Sequence, residues 1–405
     1  MPINPPNPIR TDAGARTVQG SAREVFLAAL RLGLTSFGGP IAHLGYFRDE
    51  YVVRRHWLED HAYTELIGLC QFLPGPASSQ VGFAIGWLRA GPLGALAAWV
   101  AFTLPSAVLM LGFALTSRWF QGTVANAAVH GLKITAVAVV AQAVIGMART
   151  LTPDGRRIVI AAMAAIIVLL VGGAAVQLLV IIGGALLGLA LCRPAQATIA
   201  PTVDGAPSRR LGLMALVLFA LLLALLPILA HTSRWVGLAS IFYRSGALVF
   251  GGGHVILPLL SNGLVPGWLA QSQFLAGYGA TQAVPGPLFS IAAYLGATAS
   301  PTGPFAGAVI ATVAIFVPGL LLVTSALAFR GHILANRMAQ RAMAGINAAV
   351  VGLLAAALYD PLWTTGIGSI ADIIVVALAL LLLMRFHSPP ILVAGVSVAM
   401  SIAGL

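Results

Sequence analysis

Apolar residues run through this chain in long blocks. Leu211 to Leu226 contains no charge, and Ile158 to Leu191 carries only Gln177 as a strongly polar side chain. A helix needs about 20 apolar residues to cross a bilayer, so these blocks predict membrane-spanning helices. They fall near 92–117, 130–148, 157–172, 175–192 and 211–230, then 304–329, 344–360, 367–385 and 389–405. Segments 22–47, 62–90, 235–260 and 274–300 read differently. Each is apolar but interrupted by glycine and proline, too short and too broken for two ordinary spans. They predict hairpins or half-helices.

The interruptions recur. Phe37-Gly38-Gly39-Pro40 returns as Phe250-Gly251-Gly252-Gly253, and Pro74-Gly75-Pro76 returns as Pro285-Gly286-Pro287. The same register pairs Arg31 with Arg244, Trp57-Leu58 with Trp268-Leu269, and Gln71 with Gln282. It continues through Ser79 and Ser290, Gly91-Pro92 and Gly303-Pro304, Pro105 and Pro318, and Gly131-Leu132-Lys133 and Gly345-Ile346-Asn347. One unit is written twice.

Loop charge orients the copies, because Lys and Arg favour the cytoplasmic side. Loop 48–61 holds Arg48, Arg54 and Arg55, whereas its partner 261–273 has no charged residue. Loop 149–157 holds Arg149, Arg156 and Arg157 against none in 361–370. The bias then reverses: 330–341 holds Arg330, Arg337 and Arg341 against a lone Arg118 in 118–129, and Arg385 faces the uncharged turn 172–175. The copies therefore read as inverted, and the unmatched apolar segment 211–230 supplies the extra crossing that inverts them. The expected fold is an all-α polytopic membrane protein with two inverted-topology repeats, 21–192 and 234–405, built on broken or re-entrant helices. A linker, 193–233, carries the extra transmembrane helix. Residues 1–20, polar and rich in Pro and Asn, are expected to form a disordered cytoplasmic tail.

Composition agrees. Hydrophobic residues make up 59% and charged residues 8%, against about 25% charged in soluble domains. The net charge of +11 comes from arginines scattered between apolar blocks, which suits membrane-flanking loops and excludes a nucleic-acid-binding stripe. Two cysteines, Cys70 and Cys192, form no metal or disulfide framework. No metal cluster, phosphate loop or nucleophile–base pair is present, so neither an enzyme nor a cofactor is expected.

The chemistry lies at the breaks. Pro-Gly-Pro cannot continue a helix, and Pro76 and Pro287 suit the first position of a new one. Unwound backbone in lipid is tolerated where protein or a polar cavity covers it, and free amides at a helix start attract anions. Candidate solute contacts are therefore Gly38, Gly39, Gly251 and Gly252 at one pair of breaks. At the other pair they are Pro74, Gly75, Pro76, Pro285, Gly286 and Pro287. Arg31 and Arg244 each lie six residues before Phe-Gly-Gly in an apolar helix, where a guanidinium is costly and a planar donor fork suits an oxyanion. Gln71, Gln282, Ser79 and Ser290 flank the Pro-Gly-Pro turns as neutral donors, and His43 and His254 follow the glycine breaks. Glu65, the acid close to a Pro-Gly-Pro hairpin, is the proton-coupling candidate. Internally duplicated membrane proteins with interrupted helices are typically secondary transporters.

Several longer motifs resemble a known family. Ala42-His43 after the first glycine break and Gln71-Phe72-Leu73-Pro74-Gly75-Pro76 are two of them. Phe250-Gly251-Gly252-Gly253-His254-Val255-Ile256-Leu257-Pro258 and Gln282-Ala283-Val284-Pro285-Gly286-Pro287-Leu288-Phe289 complete the set. Together they resemble the signatures of bacterial chromate ion transporters in their long, two-domain form. The resemblance implies a multi-pass protein of the inner membrane that exports chromate and confers resistance. It also implies drive by the proton-motive force, with sulfate as a competing anion. The alternatives are an exporter of sulfate or another small anion, a passive channel, or an intramembrane enzyme. Nothing in the sequence fixes an oligomeric state, a homodimer included.

Overall fold

The computed structural model describes residues 20–37, 39–116, 123–171, 173–193, 205–250, 253–300, 302–386 and 388–404. Residues 1–19 of the expected tail, residues 194–204 of the linker, Arg118, and Gly38, Gly251 and Gly252 lie outside the described residues.

Among the described residues the ordered elements are helical. The first copy contains α1 (Ala22–Thr35), α2 (Gly39–Phe47), a π-helical turn at Arg48–Arg54, α3 (Asp60–Gln71), α4 (Ala77–Thr116), α5 (Thr123–Leu151), α6 (Gly155–Val171) and α7 (Ala174–Leu191). Helix α8 (Arg209–Leu229) follows. The second copy contains α9 (Arg234–Ala247), a 3-10 turn at Gly253–Val255, α10 (Ile256–Leu264), α11 (Gln271–Gln282) and a 3-10 turn at Leu288–Ser290. It ends with α12 (Ile291–Ala299), α13 (Pro304–Ala335), α14 (Arg337–Ala357), α15 (Thr364–Gly366), α16 (Ile370–Met384) and α17 (Pro390–Ile402). Among the described residues, five helices are long and apolar enough to cross a membrane: Ala77–Thr116, Ala127–Leu151, Arg209–Leu229, Pro304–Arg330 and Arg337–Gly366. Helix starts follow local chemistry. The hydroxyls of Ser21, Ser208, Ser233 and Ser369 cap α1, α8, α9 and α16 by accepting first-turn amides.

The broken segments form half-helices. Helix α1 has 14 residues and α2 has 9, about 21 and 14 Å at 1.5 Å per residue, against a core of about 30 Å. Neither spans alone. Helix α4 is itself two limbs, because Ala90 (φ −143°) and Gly91 (φ +64°) leave helical geometry between them. Its limbs correspond to α12 and α13, which separate at Ser300–Gly303.

The repeats exchange helices. α14 packs against α6 and α7 of the first copy, whereas its counterpart α5 packs against α16 and α17 of the second. α1 lies along α4, as α9 lies along α13. One apolar core draws on both copies, including Phe47, Phe102, Phe242, Tyr278, Phe289 and Phe316. At the base of α1, Glu50 accepts hydrogen bonds from Arg54 (2.8 Å) and Arg55 (2.6 Å), and the Trp57 ring lies beneath the guanidiniums of Arg55 and Arg89. The exposed pair Arg48–Asp60 closes the same loop at 2.7 Å. Such surface pairs contribute about 0–1 kcal/mol each, so this loop is held chiefly by the buried Glu50 and Tyr51.

Candidate substrate site where the breaks interlock

Each Pro-Gly-Pro turn meets the residues that lead into the glycine break of the other copy. The Gly75 amide donates to the Val249 carbonyl at 2.7 Å, and the Gly286 amide donates to the Ser36 carbonyl at 2.9 Å. Both glycines take positive φ, +124° and +104°, a conformation that L side chains enter only with strain. Each is also crowded by the other copy's long helix beside its mid-helix proline. A Cβ on Gly75 would lie 3.0 Å from the Gly319 Cα, and one on Gly286 would lie 2.8 Å from the Ser106 Oγ. Pro318 and Pro105 immediately precede those contacts. Four interruptions thus converge in two matched crossings, and the backbone groups that a break frees are partly satisfied across the repeat boundary.

Small polar side chains surround the crossings. Ser36, His43, Ser78, Ser79, Gln80, Thr103, Ser106 and Ser290 are each at most 3% exposed. Gln80 braces the first turn, donating from Nε2 to the Pro74 carbonyl (2.9 Å) and the Gly319 carbonyl (3.1 Å). His43 Nδ1 lies 3.4 Å from Ser78 Oγ, and its ring sits edge-on to Phe102. In the tautomer where Nδ1 accepts from that hydroxyl, Nε2 carries the hydrogen. The hydroxyls of Ser36, Ser79, Thr103 and Ser290, together with Gln80 Oε1, are buried and have no hydrogen-bond partner among the described residues. An unsatisfied buried polar group costs about 1–3 kcal/mol. Several such groups lie around the two crossings.

The sequence-predicted residues divide. Pro74, Gly75, Pro76, Ser79, Pro285, Gly286, Pro287, Ser290 and His43 lie at the crossings. Gly39 (φ +82°) opens α2. Gln282 is buried and leans back on the Tyr278 carbonyl at 3.5 Å, whereas Gln71 is exposed. His254 is tied through Nδ1 to the Tyr278 hydroxyl at 2.7 Å. The two arginines differ. Arg31 is 57% exposed and 3.7 Å from Glu50, joining Arg54 and Arg55 around that carboxylate. Arg244 is half-buried and has no ion pair among the described residues. Glu65, half-buried on α3, faces the Arg330 guanidinium of α13 electrostatically. Ser36, Ser78, Gln80, Thr103 and Ser106 did not stand out in the sequence. Ser78, Thr103 and Ser106 carry one local signal, a small polar residue within two positions of a turn or mid-helix proline, and Ser36 and Gln80 carry none. Among the described residues no three His, Cys, Asp or Glu side chains are placed to hold a metal ion.

A family model described as "Chromate transporter" matches this chain twice, over residues 23–189 and 236–404. The chain belongs to the chromate transporter family. The two matches cover the two copies and leave out α8. A "Probable chromate transport protein" of Synechococcus elongatus is 30% identical over 337 residues, 81% of each chain. A "Chromate transport protein" of Pseudomonas aeruginosa is 28% identical over 86% of this chain and 84% of its own. One from Cupriavidus metallidurans is 27% identical over 97% and 96%. No solved structure matches.

Proposed function

We propose that this protein is a secondary transporter that exports chromate from the cytoplasm across the inner membrane, binding the dianion where the two copies interlock. The reading takes the repeats as inverted and the N-terminus as cytoplasmic, as loop charge suggests. The observation that carries it is the pair of matched crossings, Gly75 on Val249 and Gly286 on Ser36, ringed by partnerless polar groups. Moving an ion out of water costs several kcal/mol even in a relaxed protein, so a dianion needs many donors. Ser36, Ser79, Thr103, Ser290 and His43 can each turn a hydrogen toward an oxyanion, and Arg244 is the unpaired cation on the adjoining helix. Glu65, facing Arg330 across the repeat boundary, is the proposed proton-coupling group. The names of the relatives support chromate as the cargo.

Sulfate is the expected competitor, since both solutes are tetrahedral dianions of similar size and small size differences are worth only about 1–3 kcal/mol. The deciding experiment is anion flux in reconstituted liposomes, with and without an imposed pH gradient. Chromate flux that accelerates with the gradient and is slowed by sulfate is expected. A folded protein that moves sulfate but not chromate would replace the cargo, and gradient-independent flux would remove the proton coupling.

A further inference from the structure

Matched elements of the two copies pack differently, and the difference has a direction. In the second copy, Gly279 of α11 seats on the Leu132 carbonyl of α5 so closely that a Cβ there would overlap it. Every residue from Phe274 to Gln282 is buried. Helix α10 lies against α7 and α14. In the first copy the corresponding helix, α3, rests on α4 and α13 and has no comparable packing on α14. Gly68 occupies the position of Gly279, and a Cβ there would meet nothing within 4 Å among the described residues. The seat that repeat symmetry assigns to it is the Ile346 carbonyl of α14, in the Gly345-Ile346-Asn347 stretch that matches Gly131-Leu132-Lys133. Beside that seat, the Asn347 Oδ1 is buried without a partner.

The freed side of α3 is polar. His61, Thr64 and Gln71 are exposed and, with Gly68, recur at helical spacing along one face. Lipid does not solvate such a stripe, whereas a water-filled approach to the crossings does. In the second copy the matching positions are Ser272, Leu275, Gly279 and Gln282, and the last three are buried.

We propose that this is one of two states in which the repeats exchange roles. Here the site is reached along α3, from the side of loop 48–61, while α11 docked on α5 closes the opposite route. In the second state α3 docks on α14, with Gly68 over the Ile346 carbonyl. At the same time α11 leaves α5, so that the route along Gln282 opens. Glycine at both positions is then required for the same reason, close backbone approach, but in different states. Packed interfaces switch between discrete arrangements rather than deforming continuously. The inference rests on the transport reading for its purpose, though not for its geometry.

The test uses single cysteines in the full chain, with Cys70 and Cys192 replaced by alanine, in nanodiscs that expose both faces to a polar maleimide. Thr64→Cys is expected to react at least about tenfold faster than Gln282→Cys, a ratio that corresponds to about 1.4 kcal/mol between the two states. Adding Gly279→Ala should raise the rate at Gln282→Cys and lower it at Thr64→Cys. Adding Gly68→Ala should leave thermal stability unchanged or slightly raised, because a Cβ there meets nothing within 4 Å among the described residues and alanine is the better helix former, and should abolish residual labelling at Gln282→Cys. Loosening at Gln282→Cys with no fall at Thr64→Cys would mean local fraying and overturn the exchange. Should Gly279→Ala fail to fold, Gly68→Ala decides: unchanged labelling at both sites refutes the second state. No chromate enters the labelling arms, so a protein that moves no chromate yet labels reciprocally would refute the cargo alone.

Discussion

Gly286→Ala tests the interlock most directly. The substitution keeps the amide that donates to the Ser36 carbonyl, so any effect comes from shape. Two costs add. A φ of +104° strains an L residue, by about 1–2 kcal/mol. The new methyl would also stand 2.8 Å from Ser106 Oγ and 3.1 Å from Ser106 Cβ, and overpacking of this kind costs about 1–3 kcal/mol. Together they predict a loss of about 2–5 kcal/mol, a large part of an ordinary total of about 5–15 kcal/mol. Ser106→Ala alone removes the hydroxyl that donates to the Thr103 carbonyl at 2.9 Å, which costs about 0.5–1.5 kcal/mol. In combination it also deletes the atom nearest the new methyl. The double mutant should therefore be more stable than the sum of the singles, with a coupling of about 0.5–3 kcal/mol. Gly75→Ala should be rescued less completely by trimming a side chain, because the new methyl would meet the Gly319 Cα, which is backbone, at 3.0 Å as well as Gln80 Nε2 at 2.9 Å. Thermal melts of purified protein and chromate flux in liposomes supply the readouts. Wild-type stability and flux in Gly286→Ala, or strict additivity with Ser106→Ala, would refute the crossing as drawn.

Other expectations concern charged groups. Arg244→Ala should raise the chromate concentration needed for half-maximal flux by more than about tenfold, as loss of a charge-assisted contact of about 1.5–3 kcal/mol implies. Arg31→Ala, which removes one of three arginines around Glu50, should change it only a few-fold, and equal losses would contradict the difference in their surroundings. Glu65→Gln should abolish acceleration by a pH gradient while sparing gradient-free exchange, and a gradient response equal to wild type would exclude this carboxyl. The Asp372 carboxylate completes the capping box of α16 by accepting the Gly368 and Ser369 amides and holds His130 of α5 at 2.7 Å. Asp372→Ala should lower stability by about 1–3 kcal/mol without altering half-saturation by chromate, and an unchanged melt would show the bond to be idle.

How far the sequence disclosed this arrangement depends on the range of each interaction. The breaks were legible because proline and glycine act on their own turn: α1, α3, α9 and α11 stop where Phe-Gly-Gly and Pro-Gly-Pro require. The division of α4 at Ala90–Gly91 was legible for the same reason. Helix exchange was not, since neither the near-uniform apolar surface of α5 nor the apolar face of α14 identifies which helices of the other copy it will meet. Arg31 stood out as a charge in an apolar helix, but its carboxylate partner enters from the π-helical turn at Arg48–Arg54, and no local pattern announces that fold-back. Gln80 was invisible because its partners are backbone carbonyls, one of them on Gly319 in the other copy.

The polar centre and the open face of α3 explain each other. The partnerless hydroxyls of Ser36, Ser79, Thr103 and Ser290, at about 1–3 kcal/mol apiece, could exhaust much of the stability of an ordinary domain if nothing ever bonded to them. In a soluble protein, solvent could reach such groups from many directions. Here lipid covers the outside, and α11 packed on α5 shuts one approach. The proposed remaining approach is the face bearing Thr64 and Gln71, where a Cβ on Gly68 would meet nothing within 4 Å among the described residues. A route shut permanently on both sides would strand those hydroxyls, whereas one open on both sides would leak ions. Closure on one side at a time satisfies both demands, and a duplicated chain whose Gly68 and Gly279 share a register can meet them with a single kind of contact.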